Sequence, residues 1–353
     1  MAWTTKVDPT DESFHPRSAD PWWGESSFIT FRVPERNLMG MLYHYFRPNQ
    51  NTFMGGPFIW DDTGADMSTC LFTGWDWHQS IPAGADMFDH RVESSFAIET
   101  IEPQKRYRYT YDNGIECAYD LVYEAAREPY YQRQVEGTDN EVRQGMFDLV
   151  ADVPAEDLTT GHYEQYGFMS GSLDINGERV TLERCVCIKD RSWGPRRVII
   201  PMDKKRVGYP SAVASPDHAF HIWSISDRPW DEDPLLGTSE GIVSGFYVKD
   251  GQLGELLSGS RRCLERGEDG RPVREVVEAT DTLGRELYAE GESTGCVLRW
   301  PGCYGDYMVF ICQMKWRFDG LEDVPGEVQD YMQFRTYRRF MIGQRDLEAA
   351  MVP

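Results

Sequence analysis

The chain has 353 residues, of which 58 are acidic and 36 basic, and its formal net charge of −22 at pH 7 argues against nucleic acid or an anionic membrane as a partner. No apolar run approaches the roughly 20 residues that a transmembrane helix needs, and the N-terminus lacks the apolar segment of a signal peptide. We therefore expect a cytoplasmic protein that neither binds nucleic acid nor inserts into a membrane.

The composition favours a β-rich protein with two domains. Aromatic residues make up 13% of the chain, and 32 glycines and 20 prolines indicate many turns. A chain of this length exceeds the usual size of one domain, so two domains are the natural expectation.

Residues 1–25 are polar and contain proline, so we expect an N-terminal extension. Runs that alternate between apolar and polar residues, as strands do, then follow at residues 27–32, 40–47, 57–60, 70–77, 106–111 and 115–123. Asn113-Gly114 separates the last two runs and predicts a hairpin. The alternation of apolar and polar residues is lost over residues 124–160, where we expect a connector with a short helix.

Alternation resumes after the connector. A hairpin is predicted over residues 171–185, with its turn at Asn176-Gly177. Further strand-like runs lie at residues 164–171, 218–225, 242–249, 274–280, 286–292, 308–318 and 332–337, and residues 343–351 are predicted to be helical. Many short strands and few helices predict an all-β protein, with antiparallel domains at residues 26–155 and 156–353 that are each a barrel or a sandwich.

The common motifs for nucleotides, zinc and serine hydrolases are missing from the sequence. We find no P-loop, no G-x-G-x-x-G, no H-E-x-x-H and no G-x-S-x-G. The eight cysteines form no C-x-x-C pair. We therefore predict that the protein uses neither an organic cofactor nor a metal ion.

The segment from Asp190 to Arg196 is the most informative for chemistry, because it combines an acid, a hydroxyl, an indole and guanidinium groups around a Gly-Pro corner. Asp190 is a candidate for proton transfer. Trp193 would form a wall of the site or stabilise a cation, and Arg196 would orient Asp190 or bind a substrate oxygen. In the alternative, an Asp-Arg bond fixes the strand end while Trp193 plugs a barrel mouth.

Two histidines are further candidates for acid–base catalysis, because imidazole titrates near neutrality. His221 lies on a predicted strand and shares a face with Trp223, which could line a pocket. His78 shares a face with Asp76, whose carboxylate could raise its basicity. The alternatives are a core histidine for His221 and a surface ion pair for His78.

Aromatic and polar residues of the first domain complete the candidate set. Tyr43 is a candidate catalytic group, and His44 and Trp75 are candidates for substrate binding. Tyr43 and His44 are neighbours on one predicted strand, so only one of them can face an interior.

The stretch Asp190-Arg-Ser-Trp-Gly-Pro-Arg and the hairpin before it resemble the lipocalin-like carotenoid 1,2-hydratase (hydroxyneurosporene synthase) and AttH-like superfamily, in a branch with an Asp-x-Ser-Trp-Gly-x-Arg signature. Residues 102–109, 120–125 and 219–223 fit the same branch. The resemblance implies two lipocalin-like β-barrel or sandwich domains packed together, with few short helices and an apolar pocket near their interface. Its characterised members need neither metal nor nucleotide, and Asp190, Trp193 and, more loosely, His221 match the acid–base residues of the hydratase.

These observations predict a cofactor-independent hydratase, isomerase or lyase that acts on a hydrophobic or aromatic small molecule in an apolar pocket. Two alternatives stay open. The first is a carrier of a lipid-like or aromatic ligand, and the second is a lyase that releases water or formaldehyde from a phenolic dimer. The oligomeric state is open as well, with a homodimer among the options.

Overall fold

The structure is a computed structural model, and it describes residues 7–16, 19–131, 161–195, 206–226, 228, 235–302 and 307–351. Most of these residues lie in antiparallel strands, which confirms the predicted all-β class. Among them, no helix is long and apolar enough to cross a membrane. Arg196 and most of the expected connector, from residue 132 onward, lie outside the described residues.

The first compact unit is built on one open sheet of twelve strands, which we call the half-barrel. Its strands are β1 (Trp23–Val33), β2 (Leu38–Arg47), β3 (Thr52–Trp60), β4 (Phe72–Thr73), β5 (Asp76–Ser80), β6 (His90–Arg91), β7 (Ala97–Glu102), β8 (Arg106–Asp112), β9 (Cys117–Ala125), β10 (Tyr130–Tyr131), β11 (Gly161–Ile175) and β12 (Glu178–Pro195). The spatial order is β4-β3-β2-β1-β12-β11-β9-β8-β7-β6, with β10 on β11 and β5 on β3.

The second compact unit is a closed barrel of eight antiparallel strands followed by a helix. Its strands are β13 (Val207–Ser215), β14 (His218–Ser226), β15 (Ser239–Lys249), β16 (Gln252–Arg266), β17 (Pro272–Asp281), β18 (Glu286–Trp300), β19 (Tyr307–Phe318) and β20 (Leu321–Gln333), and the helix is α1 (Phe334–Met351). Three 3₁₀ helices in the first unit span Pro9–Glu12, Pro34–Arg36 and Pro48–Gln50.

The division of the chain differs from the expected boundary after residue 155. Strands β11 and β12 follow that boundary in sequence, yet they pair with β9 and β1 and so complete the half-barrel. The expected extension over residues 1–25 likewise contains a 3₁₀ helix, and β1 begins at Trp23. Pairing between strands that are distant in sequence depends on backbone hydrogen bonds, which local alternation does not reveal.

Both predicted hairpins are confirmed. β11 and β12 meet at Asn176-Gly177, whose φ values of 50° and 84° are the left-handed values that Asn and Gly adopt most easily. β8 and β9 also form a hairpin, and the side-chain oxygen of Asn113 accepts the backbone N–H groups of Ile115, Glu116 and Cys117 in its loop. The loop is therefore longer than the two-residue turn that Asn-Gly favours.

The prediction of a strand over residues 332–337 is wrong for residues 334–337, because β20 ends at Gln333 and α1 begins at Phe334. Phe334, Tyr337 and Met341 recur at helical spacing. Tyr337 packs its ring against Phe310 of β19, and its hydroxyl accepts a hydrogen bond from Arg299. These contacts hold the start of the helix against the barrel.

One face of the half-barrel, which we call the core face, carries the main hydrophobic core of the first unit. Side chains such as Ile29, Leu42 and Tyr109 pack there without solvent exposure. The opposite face, the second face, carries Phe28 and Tyr43, which are also buried. Strands β1 and β2 are buried on both faces, and β2 is largely apolar, whereas β1 also buries the polar side chains of Glu25, Ser26, Ser27, Thr30 and Arg32.

The interior of the closed barrel is filled by charge at one level and by aromatic rings at another. Arg261 of β16 bonds to Glu275 of β17, to Glu240 of β15 and to Asp330 of β20, which lies across the barrel. Burial alone would raise the pKa of Asp330, but the charges of Arg266 and Arg261 lower it below its ordinary value. These contacts compensate the negative charges of the buried carboxylates.

The packing around Trp316 in the closed barrel leaves no room for a side chain at Gly326. A Cβ added at Gly326 would lie 2.1 Å from the carbonyl oxygen of Ser211 and 2.5 Å from Trp316 Cδ1. Gly326→Ala should therefore lower the free energy of unfolding by about 3 kcal/mol. Gly241→Ala is the control because its Cβ would meet no atom within 4 Å. Equal urea midpoints for the two variants would contradict this packing.

Candidate functional site

Asp190 lies in β12, between β1 and β11, where the two ladders place it opposite Phe28 and Glu164. The backbone N–H of Phe28 donates to Asp190 Oδ1 at 3.0 Å. The hydroxyl of Ser27 donates to the backbone carbonyl of Asp190 at 2.6 Å. The first contact holds the carboxyl group on the second face of the half-barrel, and the second ties the backbone of β12 to β1.

A cluster of three ionisable groups forms around Asp190. His162 and Glu164 are two apart on β11, so they share the second face with Asp190. Glu164 Oε1 lies 2.8 Å from His162 Nε2. One imidazole nitrogen of His162 and one carboxylate oxygen each of Glu164 and Asp190 lie within 4.8 Å of one another. We call these three residues the acid cluster.

The electrostatics of the acid cluster favour a protonated carboxyl at neutral pH. Burial and the neighbouring charge of Glu164 raise the pKa of Asp190 from 3.8 to about 7, although His162 and the Phe28 N–H oppose the shift. Two carboxyl groups this close do not readily ionise together in a dry environment. Asp190 can therefore give or take a proton near pH 7, as a general acid must.

Aromatic rings continue the second face away from Asp190. The rings of Phe28 and Tyr43 meet edge to face at 5.8 Å, and the ring of Tyr43 stacks on that of Trp75 at 5.8 Å. Of the predicted site residues, Asp190, Tyr43 and Trp75 thus share one face. The indole and phenol faces offer negative potential that can hold a cation.

Trp193 and His44 lie on the core face instead. Trp193 is an odd number of residues from Asp190, so strand alternation separates them. The Trp193 indole stacks on the ring of His15 at 4.2 Å. His44 is fully buried among aromatic rings, including those of Phe46 and Phe88. Neither residue joins the acid cluster.

His221 and Trp223 belong to the second unit, where β14 directs them away from the barrel interior that Phe220 helps to fill. His221 is buried beside the rings of Tyr209 and Phe246, and Trp223 stacks on Tyr209 at 6.0 Å. Their roles as candidate catalytic and binding residues stay predictions.

His78 lies on the short strand β5 and is exposed. The expected partner, Asp76, accepts a hydrogen bond from Gln79. The role of His78 in acid–base catalysis stays a prediction.

The acid cluster could also hold a divalent metal ion, because one imidazole and two carboxylates are a donor set that such ions accept. The sequence predicts no metal site. A metal ion would have to displace the Asp190 proton, since a metal ligand must be deprotonated.

Sequence reasoning missed Glu164 and His162. Their spacing of two indicates a common face, but only the pairing of β11 with β12 brings them to Asp190. A β-bulge between Met169 and Gly171 shifts the register of the β11–β12 hairpin by one residue, so counting back from its turn would place Tyr163 instead of Glu164 opposite Asp190.

Solved structures share this fold across nearly the whole chain. An AttH protein from Nitrosomonas europaea is 13% identical with a TM-score of 0.58, and the match covers 94% of this chain and 98% of that one. The protein CghA is 11% identical with a TM-score of 0.53 and coverages of 89% and 88%. Kievitone hydratase from Nectria haematococca is 13% identical with a TM-score of 0.50 and coverages of 93% and 93%. The likeness shows that this chain shares the fold of these three proteins.

A family model for a domain of unknown function, DUF7064, matches residues 8–322, so the chain belongs to that family. A comparison with curated proteins gave no significant match. The resemblance expected from the sequence is supported at the level of fold, and the Asp-x-Ser-Trp-Gly-x-Arg signature stays a prediction.

The raised pKa of Asp190 predicts a pH-dependent loss of stability. Because its pKa is about 7 in the folded protein and 3.8 in the unfolded chain, the folded state binds more protons between these values, and stability falls as the pH rises from 4 to 7. Asp190→Asn keeps an acceptor for the Phe28 N–H and removes the buried charge. The variant should be more stable than the wild type at pH 8, by up to about 4 kcal/mol, and similar at pH 4.

Denaturant unfolding at the two pH values measures this difference. A variant that is less stable than the wild type at pH 8 would instead support a purely architectural role for Asp190.

Proposed function

We propose that the protein is an acid–base enzyme of the hydratase, isomerase or lyase type, with the acid cluster as its catalytic centre. The observation that carries this proposal is the convergence of the buried carboxyl of Asp190 with Glu164 and His162 on one face of the half-barrel, and burial with the charge of Glu164 raises the pKa of Asp190 to about 7. A carrier needs at most one anchoring group, whereas three ionisable groups within 4.8 Å exceed that need. Such convergence is what a proton-transfer reaction requires.

In the proposed reaction, protonated Asp190 donates its proton to a carbon–carbon double bond. The carbocation that forms is stabilised by the ring faces of Tyr43 and Trp75. For a hydratase, a water molecule then adds to the cation and gives its proton to Glu164 or His162. That proton returns to Asp190 within the cluster, so the enzyme is regenerated. An isomerase would lose a different proton from the same cation, and a lyase would run the addition in reverse.

The substrate class that fits is a hydrophobic or aromatic small molecule. The rings beside Asp190 would pack against an apolar substrate, and no organic cofactor is needed for this chemistry. Two neighbours in fold support the class by their names, since one is a kievitone hydratase and CghA has been solved with Sch210972. A cytoplasmic location and a homodimer are parts of the proposal that rest on the sequence alone.

Two other functions remain as alternatives on the same fold. A carrier of a lipid-like or aromatic ligand would use the aromatic rings without the acid cluster. A lyase that releases water or formaldehyde from a phenolic dimer would use the cluster on a phenolic substrate. The experiment below separates all three.

Protonation at carbon can be followed without knowing the natural substrate. The protein is incubated in D2O with an acyclic isoprenoid alkene, a prenylated phenol and a phenolic dimer, and mass spectrometry measures deuterium at carbon and any loss of water or formaldehyde. We expect turnover that falls as the pH rises above about 7, because Asp190 loses its proton there. Asp190→Asn should lower the rate by about 10²–10⁴-fold.

Glu164→Gln is the second variant, because it should move the pH limit of activity downward by removing the charge that raises the pKa of Asp190. Exposed Glu35→Gln is the matched control and should change neither rate nor pH profile. Binding of a probe without turnover, in the wild type and both cluster variants alike, would reject the enzyme and favour the carrier. Measuring each rate with and without EDTA separates proton chemistry from a metal-dependent reaction.

A further inference from the structure

Residues 7–15, which we call the N-terminal strap, pack against the core face of the half-barrel. Val7 is buried in a cluster with Trp23, Tyr163 and Trp193. At the other end of the strap, the ring of Phe14 meets that of Phe46 edge to face at 5.0 Å. The 3₁₀ helix Pro9–Glu12 lies between them and delivers Glu12 to a buried position.

The carboxylate of Glu12 is held by three groups of the half-barrel. The hydroxyl of Tyr107 donates to one oxygen, and the hydroxyl of Tyr163 donates to the other. Lys189 Nζ lies 3.8 Å from the second oxygen and donates to the Tyr163 hydroxyl at 2.9 Å. Two hydroxyl donors and one ammonium group form a recognition site for a carboxylate. We call Tyr107, Tyr163 and Lys189 the carboxylate cradle.

The surroundings of the cradle are aromatic and carry further nitrogen groups. Lys189 Nζ lies over the rings of Phe88, Tyr107 and Tyr163 at 4.4, 4.9 and 4.7 Å. Phe88 also packs against His44, at 5.5 Å between ring centroids. His44 is fully buried, and neither of its ring nitrogens has a hydrogen-bond partner among the described residues. His90 adds a second buried imidazole 5.3 Å from His44.

Buried, unpartnered imidazole nitrogens are costly unless a ligand or water satisfies them. Lys189 is fully buried as well, so its ammonium group needs an anion close by to compensate its charge. Glu12 supplies that anion from the strap, a segment held by side-chain contacts and not by pairing in the sheet.

We propose that the carboxylate cradle is a binding site for an amphipathic carboxylic acid, and that Glu12 of the strap occupies it as an internal competitor. The carboxylate of the ligand takes the place of the Glu12 carboxylate, and its apolar chain takes the place of the Phe14 ring against Phe46. The cradle lies on the core face, whereas the acid cluster lies on the second face. This inference therefore goes beyond the proposed enzyme activity and does not depend on it.

Decanoate is the probe, because it combines a carboxylate with an apolar chain. Its dissociation constant is measured by titration calorimetry for the full-length wild type, for Glu12→Ala and for the control Glu35→Ala. We expect Glu12→Ala to bind decanoate at least about tenfold more tightly than the wild type, because the tethered competitor is gone. Glu35→Ala should bind like the wild type, and adding Lys189→Met to Glu12→Ala should abolish the gain.

Decanol and acetate test the two halves of the ligand, and each should bind more weakly than decanoate. If Glu12→Ala does not fold alone, decanoate but not decanol should restore its circular dichroism spectrum. The proposal is overturned if folded Glu12→Ala binds decanoate no more tightly than the wild type. It is also overturned if an unfolded Glu12→Ala is not rescued by decanoate.

Discussion

Strand β12 lies between β1 and β11, and the register of these two ladders sets the positions of the acid cluster and of Lys189 and Tyr163 in the carboxylate cradle. It places Asp190 beside Phe28 and Glu164 on the second face. Strand alternation sends Lys189 to the core face, where it meets the Tyr163 hydroxyl. Because a shift of one residue would exchange the two faces, the hydrogen bonds of β12 maintain both sites together.

Asp330 of the closed barrel and Asp190 of the half-barrel are both buried, but their surroundings shift their pKa values in opposite directions. In the closed barrel, Arg261 and Arg266 bond to Asp330 and lower its pKa, which makes that carboxylate a fixed charge. Among the described residues, no arginine bonds to Asp190, and the nearby charge of Glu164 raises its pKa. A compensated acid serves architecture, whereas an acid that titrates near neutrality can transfer protons. This contrast is the physical reason for assigning chemistry to Asp190.

Local alternation predicted the all-β class and the hairpin at Asn176-Gly177. It also correctly assigned Tyr43 and His44 to opposite faces of one strand, because adjacent residues of a strand point to opposite faces. The partners of Asp190 escaped prediction because they depend on the register between β11 and β12. The buried position of Glu12 was not predicted either, because nothing in a polar N-terminal segment indicates that one carboxylate is buried between two tyrosines.

The proton-transfer role of Asp190 is tested by titrating its carboxyl group, with carbon NMR of the protein labelled at its aspartate carboxyl groups and the signal assigned with Asp190→Asn. We expect a midpoint of about 7 for Asp190 in the wild type. The midpoint should be lower in Glu164→Gln, because that variant lacks the neighbouring negative charge. A wild-type midpoint near the ordinary value of about 4, unchanged in Glu164→Gln, would show that Asp190 is an ordinary ionised carboxylate at neutral pH.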